Sequence, residues 1–320
     1  MYGKGMVKKM SMDLLIEKIA EMKNPTVAGL DPKLSYVPEY LREEAFAQYG
    51  STLEGAAQAL LAFNKGLIDA LCDIVPAVKP QCAYYEMYGW PGVKALYETM
   101  SYAKEKGMVV ITDGKRNDIG TTMEAYATGH LGKTEVNGIL YQGFPGDCLT
   151  VNGYLGTDGI KPLLQICREE DKGIFVLVKT SNPSSGELQD RLIDGKPVYE
   201  LMGEMCEGWG AEQVGKYGYS AVGAVVGATY PQQLEALRAK MPHTFFLVPG
   251  YGAQGGGAKD VSYAFDQNGL GAVVNSSRGI MCAYQKEGCD EHDFAGAARR
   301  EAIRMREDIA GVIAPISLSK

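Results

Sequence analysis

Apolar residues fall into short β-branched runs along the chain, and each run is followed by a longer stretch with helical spacing. Most of these runs are continuous rather than alternating, which is typical of parallel strands buried on both faces. Helical patterns such as LEGAAQALLAFNKGLIDAL and GVKALYETMSYAKEKG separate them. Eight strands are predicted: 26–31 (TVAGLD), 74–80 (IVPAVKP), 108–114 (MVVITDG), 148–153 (CLTVNG), 174–181 (IFVLVKTS), 221–229 (AVGAVVGAT), 244–250 (TFFLVPG) and 271–277 (GAVVNSS).

Eight strands that alternate with helices predict an α/β protein, specifically a (β/α)8 barrel with its helices outside. An open doubly wound sheet is the alternative, although it usually has fewer strands over this length. No repeat or linker divides the 320 residues, so we expect residues 1–320 to form one domain with enlarged loops. The long connections 32–52 and 182–200 are expected to be functional or mobile loops. An N-terminal helix is predicted over about 11–23, with Ser11 as its N-cap.

Composition restricts the cellular environment and the kinds of partner that are expected for the protein. A net charge of −7 without any basic run argues against nucleic acid or an anionic membrane as the main partner. Seven scattered cysteines without a CxxC pair predict reduced thiols and a cytoplasmic location. The N-terminus lacks the apolar core of a signal peptide, and no stretch is apolar enough to span a bilayer.

Charged and polar residues collect at the predicted strand ends, where barrel enzymes place their active sites. Asp113 and Lys115 lie two residues apart, so on an extended backbone their side chains leave the same face. A solvated turn would explain any one charge, but two acids and two lysines at separate strand ends favour a site, with a third acid, Asp118, just beyond. The strand-end residues are Asp31, Lys79, Asp113, Lys115, Asn152, Thr180, Ser181, Thr229, Pro249 and Arg278.

The segment VPGYGAQGGGAKD satisfies GxGxxG through Gly250, Gly252 and Gly255. A dinucleotide site is not favoured, because that motif belongs in an early βαβ unit with an acid about 20 residues later. A flexible turn is one interpretation. The functional one is phosphate binding by the loops after strands seven and eight, with Gln254 as a donor and Arg278 as a planar cation.

The sequence contains few residues that are expected to bind a metal ion. His130, His243 and His292 all fall away from the C-terminal strand ends, and no His or Cys cluster suggests zinc. The acids could hold magnesium, but Lys79 and Lys115 would compete for the same carboxylates. We therefore expect no metal and no cofactor.

These motifs together resemble the orotidine 5′-phosphate decarboxylase family. DGKRND matches the DxKxxD motif of that family, and AGLD, AVKPQ, KTSNP, VPGYGAQGG and SSRG resemble its other strand-end signatures in the same order. The resemblance covers roughly residues 10 to 310, and KTSNP with the longer loops resembles a bacterial and archaeal branch. It implies a cofactor-free conversion of orotidine 5′-monophosphate to UMP and CO2, the last step of de novo pyrimidine synthesis.

The resemblance also implies roles for individual residues. Lys115 would be the proton donor to C6 of the pyrimidine, within an alternating array of Lys79, Asp113, Lys115 and Asp118. Asp118, with Thr122 (or Thr121), would reach across a homodimer interface into the neighbouring site. The remaining roles are a ribose hydroxyl contact for Asp31, a ribose contact for Lys79, the substrate carboxylate for Asp113, the pyrimidine edge for Ser181, and the phosphate for Gln254 and Arg278.

Two other functions fit parts of the pattern. A magnesium-dependent sugar-phosphate lyase or decarboxylase of the same superfamily shares the DxKxxD spacing, but it resembles this chain less at the end of strand two, where an acid is expected instead of Lys79. A non-catalytic nucleotide-binding protein would have no need to keep all four charges of the array. The sequence therefore favours the decarboxylase.

Overall fold

A computed structural model describes residues 10–252 and 255–318, and a closed barrel of eight parallel strands forms its centre. Each strand pairs with the next one along the chain, and the last pairs with the first. All eight predicted strands and the barrel are confirmed. The strands are β1 (Thr26–Leu30), β2 (Ala77–Pro80), β3 (Val109–Arg116), β4 (Cys148–Val151), β5 (Gly173–Lys179), β6 (Val222–Val226), β7 (Phe246–Val248) and β8 (Ala272–Ser276).

Helices cover the outside of the barrel, as the alternating pattern predicts. Apolar side chains pack between strands and helices in two large buried clusters, and a third cluster fills the barrel interior. Both faces of the strands are therefore covered, as continuous apolar runs require. The helices are Ser11–Met22, Glu39–Tyr49, Leu53–Leu71, Ala83–Glu86, Gly89–Glu105, Gly120–His130, Thr157–Glu170, Val198–Gly210, Pro231–Lys240, Ala258–Ser262, Arg278–Met281, Ala283–Glu287 and Phe294–Ala310.

The first helix packs against the barrel interior. Met12 and Ile16 belong to the same buried cluster as Val109 and Phe175 from the strands. The prediction that Ser11 is the N-cap is wrong: Ser11 is the first helical residue, and its hydroxyl donates to the carbonyl of Asp171 at 2.8 Å. That bond ties the helix to the turn before β5, so the first helix covers the N-terminal end of the barrel and leaves the opposite end for chemistry.

The insertions differ from the predicted loops. The connection 32–52 contains the helix Glu39–Tyr49, and 182–200 contains a 3-10 turn, Pro183–Glu187, and a short hairpin of Leu192–Ile193 with Lys196–Pro197. A further hairpin pairs Lys133–Val136 with Ile139–Gln142, and the sequence reasoning did not predict it. Its signal was the dipeptide Asn137-Gly138, whose φ angles of 52° and 80° are typical of a two-residue hairpin turn.

Two further observations concern the environment. Within the described ranges, no helix has both the length and the apolar character needed to cross a membrane. All seven cysteines are free thiols.

Candidate active site

Three charged side chains meet at the C-terminal end of the barrel. The Lys79 ammonium at the end of β2 donates to Asp113 Oδ2 at 2.6 Å, and the Lys115 ammonium donates to Asp113 Oδ1 at the same distance. Asp31 at the end of β1 lies farther out, with its Oδ1 4.0 Å from Lys79 Nζ. The predicted convergence of Asp31, Lys79, Asp113 and Lys115 is therefore found in the structure.

Lys115 reaches Asp113 from an unexpected backbone conformation. Its φ of +47° is left-handed rather than extended, and the pairing of β3 with β4 shifts register between Thr112 and Arg116. The predicted contact between Asp113 and Lys115 is therefore found, but the regular extended strand that was expected to produce it is not. Because a side chain at positive φ is rare and strained, the site holds Lys115 in a specific, non-default geometry.

Burial and charge act in opposite directions on the array. Burial alone would raise the pKa of Asp113, but the ammonium groups of Lys79 and Lys115 hold that pKa well below its usual range. Burial would lower the pKa of Lys79, and the carboxylates of Asp113 and Asp31 raise it instead. At neutral pH the site therefore presents a fixed carboxylate between two ammonium groups, with the Asp113 and Lys79 side chains only 9% and 6% exposed.

The array lies between two cavities of about 400 and 470 Å³. Lys79, Asp113, Lys115 and Pro249 line both. The first cavity has an apolar wall of Leu177, Val225 and Leu247 and a polar rim of Thr150, Thr180, Ser181 and Asn182. Its apolar wall lowers the local dielectric, which strengthens the field of the neighbouring charges.

The second cavity is polar and runs from the array to β8. Asp31, Asn275 and Arg278 line it, with Gly250 and Tyr251 from the glycine loop. The Oδ1 atoms of Asp31 and Asn275 beside this cavity are buried, and neither has a hydrogen-bond partner among the described residues.

Glycines in the loop after β7 adopt conformations that other residues avoid. Gly250, Gly252 and Gly255 have φ angles of 102°, 71° and 95°. Of these three, Gly250 lines the polar cavity, and without a side chain it lets the backbone approach a ligand such as phosphate closely. The predicted donor Gln254 lies outside the described residues.

Three other predicted positions lie outside the array. Asp118 is half-buried and accepts a hydrogen bond from the backbone N–H of Ile119 at 2.8 Å, and among the described ion pairs it has none with Lys79 or Lys115. Thr121 and Thr122 are exposed on the helix Gly120–His130. One chain therefore brings together three members of the predicted four-residue array.

Two other predicted strand-end residues, Asn152 and Thr229, line neither of the two cavities. The side chain of Asn152 accepts from the N–H of Tyr154, which closes a turn. Thr229 lies beside Gly255 and Gly256 along a small neighbouring cavity.

Thr150 is a site residue that the sequence reasoning missed. Its hydroxyl donates to Asp113 Oδ1 at 2.9 Å and accepts the backbone N–H of Lys115 at 3.0 Å. It therefore orients both the acid and the lysine. The available signal was a single hydroxyl within the apolar strand CLTV, one residue before its end.

The histidines lie elsewhere. His130 is buried beside Arg116, His243 pairs with Glu207 on the surface, and His292 stacks on Tyr40. Within residues 10–252 and 255–318, no three His, Cys, Asp or Glu side chains come together as a possible metal-ligand set.

The comparisons with known proteins identify the family. Residues 57–288 match the Orotidine 5′-phosphate decarboxylase / HUMPS family. An orotidine 5′-phosphate decarboxylase of Rhodopirellula baltica is 46% identical over 290 residues, which cover 89% of this chain and 94% of that protein.

Solved structures agree with this assignment. A putative orotidine 5′-phosphate decarboxylase of Streptomyces avermitilis superposes with a TM-score of 0.75 at 32% identity, covering 97% of this chain and 99% of the other. The UMP synthase of Leishmania donovani superposes with a TM-score of 0.74 at 31% identity, and the match covers 95% of this chain and 56% of that longer one. The chain belongs to the orotidine 5′-phosphate decarboxylase family.

Proposed function

We propose that the chain converts orotidine 5′-monophosphate to UMP and CO2 through the array of Lys79, Asp113 and Lys115. Family membership makes the chain a carboxy-lyase of the last step of de novo pyrimidine synthesis. The observation that carries the assignment of residues is the Asp113 carboxylate, held between two ammonium groups at 2.6 Å each where the two cavities meet. No cofactor is needed in this proposal, because the charges themselves stabilise the transition state.

The chemistry requires negative charge to develop on a ring carbon when CO2 leaves. In our proposal the substrate carboxylate lies beside Asp113 and points toward the apolar wall, so repulsion between like charges is relieved as CO2 departs. The Lys115 ammonium then stabilises the developing charge at C6 and donates the proton that replaces the carboxyl group. Lys79 keeps Asp113 ionised and in place throughout.

The two cavities suit the two ends of the substrate. The rim containing Ser181 would bond the pyrimidine edge, and Asp31 would bond a ribose hydroxyl in the polar cavity. Arg278 and the glycine loop, with Gln254, would bind the phosphate. Binding energy from that distant phosphate would help to order the site.

The first test follows the ultraviolet absorbance of orotidine 5′-monophosphate with purified protein in excess EDTA. We expect turnover by the unmodified protein and its near-complete loss in Lys115→Ala. Lys133→Ala is the matched control, since Lys133 forms a surface ion pair with Glu170 far from the array. Full turnover in folded Lys115→Ala would overturn the role of Lys115, and activity only with added magnesium on a sugar phosphate would favour the other branch of the superfamily.

We also propose a homodimer in which Asp118 and Thr122 complete the neighbouring site. Support comes from the absence of an ion pair between Asp118 and the array lysines among the described residues, and from the exposed apolar residue next to it, since Ile119 is 52% exposed. A buried partner surface would explain both.

Mixing inactive variants tests this arrangement. Lys115→Ala and Asp118→Ala, unfolded together and refolded, should recover about a quarter of the wild-type activity, because a mixed dimer carries one complete site. No recovery, although mixed dimers form, would place Asp118 in the site of its own chain.

We further infer a cytoplasmic location. The seven free thiols and the acidic composition support it. Fractionation of the source cells, with the protein found in a membrane or secreted fraction, would contradict it.

A further inference from the structure

The left-handed backbone of Lys115 needs something to hold it. A non-glycine residue in this region is unfavourable on its own, and such residues persist where their surroundings fix them. Lys115 is half exposed, and the Lys115–Asp113 ion pair holds the end of the side chain rather than the backbone. Thr150 accepts the backbone N–H of Lys115, and the next residue, Arg116, supplies further contacts that act on the backbone on either side of Lys115.

The Arg116 guanidinium folds back across the turn. Its Nη1 donates to the carbonyl of Gly114 at 2.9 Å, so the side chain of one neighbour of Lys115 is bonded to the backbone of the other. The Arg116 carbonyl accepts the N–H of Asn152 at 3.1 Å, which ties the same turn to the end of β4. Lys115 is thus bracketed on both sides by fixed groups.

Three further groups fix the guanidinium. Nη2 donates to Glu86 Oε1 at 2.5 Å, Nε donates to His130 Nε2 at 3.3 Å, and the Tyr126 ring lies 5.8 Å from the guanidinium carbon. Because Arg116 is a donor only, His130 Nε2 must accept, and the neutral imidazole then carries its proton on Nδ1.

The surroundings of His130 favour this neutral form. The ring is 6% exposed and stacks on Phe144 with centroids 5.1 Å apart. Burial, and then the nearby Arg116 charge, lower the pKa of His130 to about 4. Around neutral pH the imidazole is therefore a permanent acceptor for Arg116.

We propose that Arg116 is a positioning residue that holds Lys115 in its left-handed conformation, with Glu86 and His130 orienting the guanidinium. Arg116 does not line either cavity, so it acts through Lys115 rather than on the substrate. The inference rests on the proposed role of Lys115 as proton donor. A lysine could not replace Arg116, since one ammonium cannot reproduce a planar fork that bonds in three directions.

The test compares Arg116→Lys and Arg116→Gln with the unmodified protein. We expect kcat per UMP-binding site to fall about 10- to 100-fold, because a misplaced proton donor affects the transition state. KM and the dissociation constant of UMP should stay within about threefold, because ground-state contacts are kept. Calorimetric titration with UMP counts the folded sites, so partial unfolding alone would lower the number of sites and leave kcat per site unchanged.

Glu86→Gln provides a milder variant that should fold, since the Glu86 side chain is 42% exposed and the amide oxygen still accepts from Arg116. Its kcat should fall by less than that of Arg116→Gln. Wild-type turnover is measured first, so failure of the decarboxylase assignment shows independently. An active wild type whose Arg116 variants keep full kcat per site would overturn the positioning role alone.

Discussion

Two buried lysines stand at strand ends in this barrel, and they have different surroundings. Lys79 at the end of β2 faces both cavities and donates to Asp113. Lys179 at the end of β5 is fully buried, yet its ammonium donates to Asp190 Oδ1 at 2.8 Å and lies 4.6 Å from the Tyr230 ring centroid. Neither cavity is lined by Lys179. A buried charge at a strand end is therefore no guarantee of a catalytic role.

A local irregularity of the sheet accompanies this difference. Along β5, Leu177 lines the cavity, and strict alternation would direct Lys179 to the same side. The pairing with β6 skips one residue, because Val225 pairs with Leu177 and Val226 pairs with Lys179. Such a bulge re-aims the following side chain. Lys179 consequently anchors the insertion that carries Asp190.

The two counter-ions also differ in exposure. The Asp113 side chain is 9% exposed, whereas that of Asp190 is 41% exposed. Water can therefore solvate Asp190 if its lysine is removed, but it cannot readily solvate Asp113. The two pairs should respond differently to the same substitution.

Replacing each lysine by methionine should produce the largest contrast. We expect Lys79→Met to lower kcat by at least about 10²- to 10³-fold, the usual effect of removing one preorganised electrostatic group. Lys179→Met should keep kcat within about tenfold, because methionine can pack against the Tyr230 ring and touches no substrate. Steady-state assays with orotidine 5′-monophosphate measure both. Equal losses in two equally stable variants would remove the distinction between the lysines.

The second contrast concerns stability at the Lys179 pair. Asp190→Asn leaves a buried ammonium without its counter-ion, and we expect it to lower the free energy of unfolding by about 3 kcal/mol. Lys179→Met should cost less, because the remaining carboxylate is solvated. Urea unfolding monitored by circular dichroism gives both values.

A double variant controls this prediction. Adding Lys179→Met to Asp190→Asn removes the stranded ammonium and should recover part of the lost stability. A double variant as unstable as the sum of the single ones would show that the two residues act independently.

The regular parts of the molecule could be predicted from the sequence, whereas the irregular parts could not. Continuous apolar runs predict strands because parallel strands are buried on both faces. Lys79 and Asp113 follow directly on such runs, so they are predicted at the C-terminal end of the barrel. The left-handed turn at Lys115 and the bulge beside Lys179 depend on contacts between distant segments, which no local pattern encodes. Thr150 was missed for a related reason. A single hydroxyl in an apolar strand indicates a site residue only when its hydrogen bond to Asp113 is known.

Lowering the pH should give the smallest effect of these tests, and it isolates the contribution of the Asp113 charge to stability. The folded-state pKa of Asp113 lies below its unfolded value of about 3.9, so its ionisation stabilises the fold above that pH and less as pH falls toward the folded pKa. The Lys79 pKa is raised, so the contribution of Lys79 is lost only in alkali, above about pH 10. Asp113→Asn also removes the carboxylate that raises the Lys79 pKa. The difference in unfolding free energy between wild type and Asp113→Asn should therefore not decline from about pH 8 to 5, and it should decrease by at most about 1.4 kcal/mol per pH unit below about pH 4. A difference that already declines between pH 7 and 5 would mean that Asp113 has an ordinary or raised pKa, and that the two ammonium groups do not offset its burial.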